Sequence, residues 1–274
     1  MKRICTIILN RNLPDPTNAL YEHLKKYDAN YNDTYVIEAG SDKDKLSKYC
    51  TWYINNNEAI KNGLRYGRGM NYALLELFKE KNWDKYEAFF LLTNDTELYP
   101  LETIKTLLNV LEEHPMVGIL SPASKNWGEI SLLNSCQTKY FWFIHNNALL
   151  LRRKFIEMII EKENPNHLNF LFDGSNFRGY FTESEIIAKA YVNNWAAAIT
   201  KKVFAEENET YLIEKSDLIR TEDFFENRKL YLEEGKKWIK RKYGFNSRWD
   251  MNQYVKNFYD KFFEFHPELE HYKI

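Results

Sequence analysis

Short apolar runs alternate with stretches of helical periodicity along the first half of the chain, and that order leaves few architectures open. Runs at 4–9, 35–37, 51–54, 88–92 and 117–120 have the length and composition of strands. Helical patterns lie between them. One is opened by Asp15-Pro16-Thr17-Asn18 and runs to about Tyr27. A second covers roughly 69–81, with Tyr72, Leu75 and Phe78 on one face, and a third covers 101–114 and is ended by Pro115. Strands separated by helices re-enter a sheet in parallel, so the expectation is an α/β fold with a mostly parallel central sheet.

Beyond Pro122 the regularity weakens. Apolar stretches at 140–144 and 148–151, a helix over about 154–163, a Gly/Asn loop near 173–179, a short helix at 183–191 and a last strand at 196–200 make a half expected to shape a substrate site. From Ser216 onward the chain is charged, aromatic and helical, with segments near 217–242 and 250–263 and a break at Gly244. The spacing of Tyr254, Phe258 and Phe262 predicts an apolar face that packs on the rest of the chain. The expected division is a catalytic domain over 1–210, with halves 1–122 and 123–210, followed by a C-terminal helical extension over 211–274.

Composition removes several functions. Lys and Arg number 38 against 39 Asp and Glu, a formal charge of −1, so the molecule lacks the field that would hold a nucleic acid backbone as its main partner. Cys5, Cys50 and Cys136 show no CxxC spacing, which argues against a disulfide framework or a cysteine zinc site and fits a reducing cytoplasm. The apolar run at 4–9 is too short for a signal segment, and no stretch approaches the roughly 20 apolar residues of a membrane span. A cytoplasmic location is expected, with the C-terminal helices offering either a homodimer contact or a peripheral membrane contact.

Ligands of parallel α/β sheets bind beyond the carboxyl ends of the strands, so the polar residues that directly follow strands are the candidates. Four clusters qualify: Asn10-Arg11-Asn12, Glu38-Ala39-Gly40-Ser41, the segment from Asn62-Gly63 to Asn71, and Thr93-Asn94-Asp95-Thr96-Glu97. Asp95 is placed to bind Mg²⁺ or Mn²⁺ bridging two phosphates, since these ions prefer carboxylate oxygen. Gly67 and Gly69 would let backbone approach a ligand, and Asn71 offers both a donor and an acceptor. Trp127, Tyr140, Phe141 and Trp142 could stack on a sugar or fill the core, and His145 follows an apolar run.

Taken in order, YGRGMNYAL (66–74), LLTNDTELYP (91–100) and YFTESEIIAKAYVNNW (180–195) resemble the family 2-like glycosyltransferases of GT-A fold, most closely the bacterial rhamnosyltransferase-like branch. The resemblance spans about residues 3–205. It implies a nucleotide-diphospho-sugar transferase fold and an inverting transfer from a nucleotide-sugar donor to a hydroxyl of a glycan or lipid-linked acceptor, in glycan or polysaccharide synthesis. It further implies donor contacts from Asn10, Asn12, Glu38, Gly67, Gly69, Asn71, Asn94 and Asp95, with Glu38 on the nucleobase and a divalent cation on Asp95. Acceptor contacts fall to Trp127, Trp142 and His145, and the catalytic base to Glu183. The chain departs from the family in three places. Thr93 replaces the first acid of the D-x-D motif, Glu183 stands where Asp is usual, and 203–207 lacks a His, leaving Glu206 or Glu207 as substitutes. Two rival readings are a catalytically inactive GT-A binding module and a sugar-1-phosphate nucleotidyltransferase; the latter expects a Gly-rich basic loop where Leu9–Pro14 reads LNRNLP.

Overall fold

The computed structural model describes residues 3–208, 210–211 and 223–274. In chain order the elements begin β1 (Ile4–Asn10), α1 (Pro14–Asp28), β2 (Asn32–Ala39), β3 (Cys50–Ile54), α2 (Asn57–Asn62), α3 (Arg65–Lys79), β4 (Ala88–Thr93), β5 (Thr96–Leu98), α4 (Thr103–Glu113) and β6 (Val117–Ala123). They continue with α5 (Glu129–Leu133), β7 (Thr138–Tyr140), β8 (Ala148–Arg152), α6 (Arg153–Ile159), α7 (Thr182–Val192), β9 (Ala196–Glu207), α8 (Phe224–Tyr243) and α9 (Arg248–Phe265). The part of the expected C-terminal helix at 217–222 lies outside the described residues.

Every residue from Ile4 to Ile8 and from Ala88 to Leu92 is fully buried. Strands with both faces covered read as continuous apolar runs, which is how β1 and β4 appear in the sequence. The sheet order is β3-β2-β1-β4-β8-β6-β9-β5, with β7 paired to β9. The β3-β2-β1-β4 portion is parallel, as expected, and so is β6 with β9. β8 departs from that pattern by running antiparallel to both β4 and β6. It starts beside the end of β4, where the candidate residues lie, and carries the chain away from it.

Helix α3 starts at Arg65, earlier than the spacing predicts. Its N-cap is Leu64, without a side-chain cap, and Arg65 takes a φ of 61°, so the usual Ser/Thr/Asp/Asn start signal is missing. Gly69 therefore falls inside the helix, on the face against β1. A Cβ there would meet Leu9 Cδ1 at 2.4 Å, so its bare backbone serves helix-to-sheet contact.

The C-terminal helices pack on the α/β body. Met251, Val255, Tyr259, Phe262 and Phe263 are buried on α9, and Tyr259 and Phe262 set their rings against Tyr191 of α7 at 5.5 and 5.4 Å. The buried stripe is displaced from the expected one: Tyr254 and Phe258 lie at its edge, partly buried and meeting edge to face. Helix α8 is anchored by Trp238, whose Nε1 donates to Asp173 Oδ2 at 3.0 Å, and by Lys242, which bridges Asp173 (2.6 Å) and the buried Glu185 (2.8 Å). Glu185 also keeps the i,i+4 pair with Lys189 that the sequence suggests. Lys242→Ala is expected to cost about 2 kcal/mol in denaturant unfolding, below the range for a fully buried pair because the lysine is one-third exposed. A loss under ~0.5 kcal/mol would assign the anchoring to packing alone.

Candidate functional site

The carboxyl ends of β2, β1 and β4 lie side by side, since Asn10 is in register with Glu38 and Leu9 with Thr93. Asn10 is the hub. Its Nδ2 donates to both Glu38 oxygens at 3.0 and 2.9 Å, while its Oδ1 accepts from Asn94 Nδ2 at 2.8 Å and from the Leu13 N–H at 3.3 Å. Glu38, expected to meet a nucleobase, is wholly buried and also accepts from Ser41 Oγ at 2.5 Å and the Ser47 N–H at 2.7 Å. Three donor groups making four contacts hold both oxygens, so Glu38 clamps the loop after β2 onto β1 and is committed inside the protein rather than turned to a base. Asn12, at φ 57°, belongs to the same clamp through its N–H to Ser41 Oγ (3.1 Å) and its Oδ1 from the Asp42 N–H (2.8 Å).

Asn71 is likewise committed inside the protein. Its Oδ1 accepts from the Leu171 and Phe172 N–H groups at 3.0 and 2.9 Å, and its Nδ2 donates to the His167 and Phe172 carbonyls at 3.0 and 2.8 Å. That pins the 167–172 segment to α3, so Asn71 supports the site from behind. Gly67 and Gly69 lie within α3 and face Phe172 and Leu9 respectively, so neither backbone is offered to a ligand.

Asp95 occupies the turn between β4 and β5 and is 6% exposed, and its carbonyl accepts from the Asn208 N–H at 2.9 Å. The β5–β9 ladder sets Thr96 against Glu207 and Glu97 against Glu206. The end of β9 thus reaches Asp95, as expected for a segment sharing its site. Glu206 is nevertheless spoken for: its oxygens accept from Ser124 Oγ and the Lys125 N–H. Among the described residues no three His, Cys, Asp or Glu side chains gather as a metal-binding group. One buried carboxylate among Asn and Thr side chains fits a hard cation that draws its other oxygens from phosphate and water, and does not fit an all-protein cage.

Asn147 has no counterpart in the sequence-based expectations. Its carbonyl accepts from the Thr93 N–H at 3.0 Å and Thr96 Oγ1 at 2.9 Å, while its buried Nδ2 has no hydrogen-bond partner. An unsatisfied buried amide costs about 1–3 kcal/mol, which makes it a donor prepared for an incoming oxygen. The signal available in the sequence was weak: an Asn immediately before an apolar run.

A short segment joins Asn147 to a cleft of about 320 Å³ lined by Phe143, Ile144, His145, Asn146, Tyr180, Phe181, Glu183 and, from the C-terminal helices, Arg228, Tyr231, Leu232 and Arg248. Glu183 sits in the first turn of α7, after Phe181, whose φ of 56° is costly for a bulky residue and marks strain beside the site. The Glu183 Oε2 is closed off from solvent without a hydrogen-bond partner, although the residue as a whole is partly exposed. Burial raises its pKa to about 7, opposed by its own backbone N–H and by the positive charge of Arg248. The phenol of Tyr66 is also buried without a partner, and burial followed by the Glu183 charge pushes its pKa up.

The aromatic candidates separate. His145 lies on the cleft wall, 3.1 Å from Glu129 through Nε2, with the Trp127 ring tilted against it, centroids 3.2 Å apart. Trp142 does not line the cleft; it packs on the core beside Phe141 and Phe143. The cleft residues Arg228, Tyr231 and Arg248 escaped the sequence because no motif ties them to Glu183, and tertiary packing alone brings them there.

No protein-family model matches the chain, and no curated protein matches it in sequence. Solved structures do match in fold. A mannosyltransferase, PcManGT from Pyrobaculum calidifontis in complex with GDP-Man and Mn²⁺, aligns with a TM-score of 0.52 at 13% identity over 85% of this chain and 68% of that one. S. aureus TarS 1–349 in complex with UDP aligns at 0.54 and 13% identity over 89% and 74%. GalNAc-T7 with UDP, GalNAc and Mn²⁺ aligns at 0.58 and 9% identity over 99% of this chain, which spans 58% of that structure. The architecture is the GT-A glycosyltransferase fold.

Proposed function

We propose that the chain is an inverting, nucleotide-sugar-dependent glycosyltransferase of the family 2-like, rhamnosyltransferase-like branch, acting in glycan or polysaccharide synthesis. The observation that carries this reading is the Glu183 Oε2, buried without a hydrogen-bond partner, in a cleft that a few residues of chain join to the Asp95 turn. The donor lies across the ends of β1 and β4, with Asn94, Asp95 and Asn147 toward its diphosphate and sugar. Asn10, Asn12, Glu38 and Asn71 hold those elements in place. Glu183 takes the proton of the acceptor hydroxyl as that oxygen bonds to the anomeric carbon; the bond from that carbon to the diphosphate breaks on the opposite side, and the nucleoside diphosphate departs. His145 contacts the acceptor, with the Trp127 ring supporting it from behind. Residues 1–210 supply the catalytic domain and 211–274 complete the acceptor cleft.

PcManGT and GalNAc-T7 carry Mn²⁺, and Asp95 is the residue that would hold a divalent cation here, where such an ion supplies neutralisation of the leaving diphosphate. Asp95→Ala is expected to weaken UDP or GDP binding about tenfold with Mn²⁺ present and to have no effect in chelator. Identical behaviour of variant and parent in both conditions would remove the metal from Asp95. The inactive binding module is the second reading, favoured by the single carboxylate at the turn. Titration with nucleoside diphosphates followed by an assay of donor hydrolysis separates the two, since a module binds without turnover.

A further inference from the structure

One wall of the Glu183 cleft differs in charge from the rest of it. Arg228 on α8 and Arg248 at the start of α9 both line the cleft, and both are exposed at its mouth. Other arginines are committed to carboxylates: Arg178 to Glu234, Arg68 to Glu58 and Arg152 to Glu87. Arg228 and Arg248 form no ion pair among the described residues; Arg248 lies 5.6 Å over the Phe181 ring. Against these two cations the cleft lining offers one acid, Glu183. Two guanidinium groups lining one opening favour an anion there, and their planar forks match phosphate and carboxylate oxygens.

On the transferase reading the donor diphosphate is held at the Asp95 turn, whose residues do not line this cleft. We infer that the acceptor is an anionic sugar or polyol, whose phosphate or carboxylate is bound by Arg228 and Arg248 while its hydroxyl faces Glu183. This inference rests on the transferase reading and adds to it the class of acceptor. It also gives the C-terminal helices a function, since both arginines come from them.

The test is calorimetric titration of the full chain with glucose 6-phosphate, glucuronate, glucose and inorganic phosphate, repeated on Arg228→Gln/Arg248→Gln. At least one sugar anion should bind about tenfold or more tightly than glucose. The double variant should bring that preference within about twofold at an unchanged melting temperature, and Arg248→Lys should keep part of it, having the charge without the fork. Equal binding of glucose and both anions, absence of binding by either anion, or a preference that survives in the double variant overturns the inference. Inorganic phosphate binding as tightly as glucose 6-phosphate also counts against it, because the site would then read only the ion. UDP and GDP titrations distinguish the two levels. Nucleotide binding without an arginine-dependent preference leaves the transferase standing and the acceptor class refuted, whereas the preference without nucleotide binding refutes the transferase and leaves an anion site.

Discussion

Glu183→Gln is expected to leave nucleoside diphosphate binding within about twofold while lowering sugar transfer about 10²-fold or more, the scale of a general base. The amide keeps the shape and removes the proton acceptor. In the parent, transfer should rise with pH along a limb centred near 7, because burial holds the carboxyl protonated below that point. The stability effect has the opposite sign. With the folded pKa raised above the ordinary value of 4.5, the folded state holds the proton more tightly than the unfolded one. The group's stabilising contribution is complete below 4.5 and is lost as pH climbs through about 7. Glu183→Gln should therefore raise the melting temperature at pH 8 more than at pH 5. A variant that transfers at near-parental rate, or that shows no pH-dependent gain in stability, would take the base role away from Glu183.

Gly235→Ala sets two effects of opposite sign against each other. On an exposed helix the change would stabilise by about 0.5–1 kcal/mol through propensity. At Gly235 a Cβ would meet Tyr180 Cδ1 and Cγ at 2.1 Å and Cβ at 2.3 Å. The Tyr180 ring is buried and stacks edge-on against Phe181 and Tyr231, and contact at its Cβ cannot be relieved by swinging the ring. Overpacking wins, at a net cost of about 1–3 kcal/mol in denaturant unfolding. Tyr180 is also a wall of the Glu183 cleft, so transfer should fall with stability. A Gly235→Ala protein as stable as the parent would mean that α8 does not seat on the 180–183 segment.

The parallel half of the sheet was legible because its strands are buried on both faces and separated by well-signalled helices. The direction of β8 was not, since Ala148–Leu151 is equally apolar whichever way it runs; pairing with β4 and β6 decides it. The start of α9 was readable in principle from Ser247 and Asp250, whose reciprocal capping box fixes the first turn; which face turns inward is decided by packing, which buries Met251, Val255 and Tyr259. At the candidate site, residue type located the strand ends but not the use of each side chain. An Asn that can bind a ligand can equally bind backbone, and Asn71 spends all its capacity on the 167–172 segment. Glu38 is the same case in acidic form. Arg228 and Arg248 lie more than 40 residues from Glu183 in the chain, and nothing local announces them.

The segment carrying His145 and Asn147 acts as a caliper. One jaw rests on the end of β4 through the Asn147 carbonyl, the other forms the wall of the Glu183 cleft, and two residues of chain span at most about 7 Å. On the proposed reading, the gap between donor and acceptor is thus gauged by covalent geometry, which no side-chain substitution can lengthen. Inserting one residue between 145 and 147 would open the jaws by up to about 3.5 Å, the distance over which a reacting pair becomes two bystanders, with every binding side chain still in place.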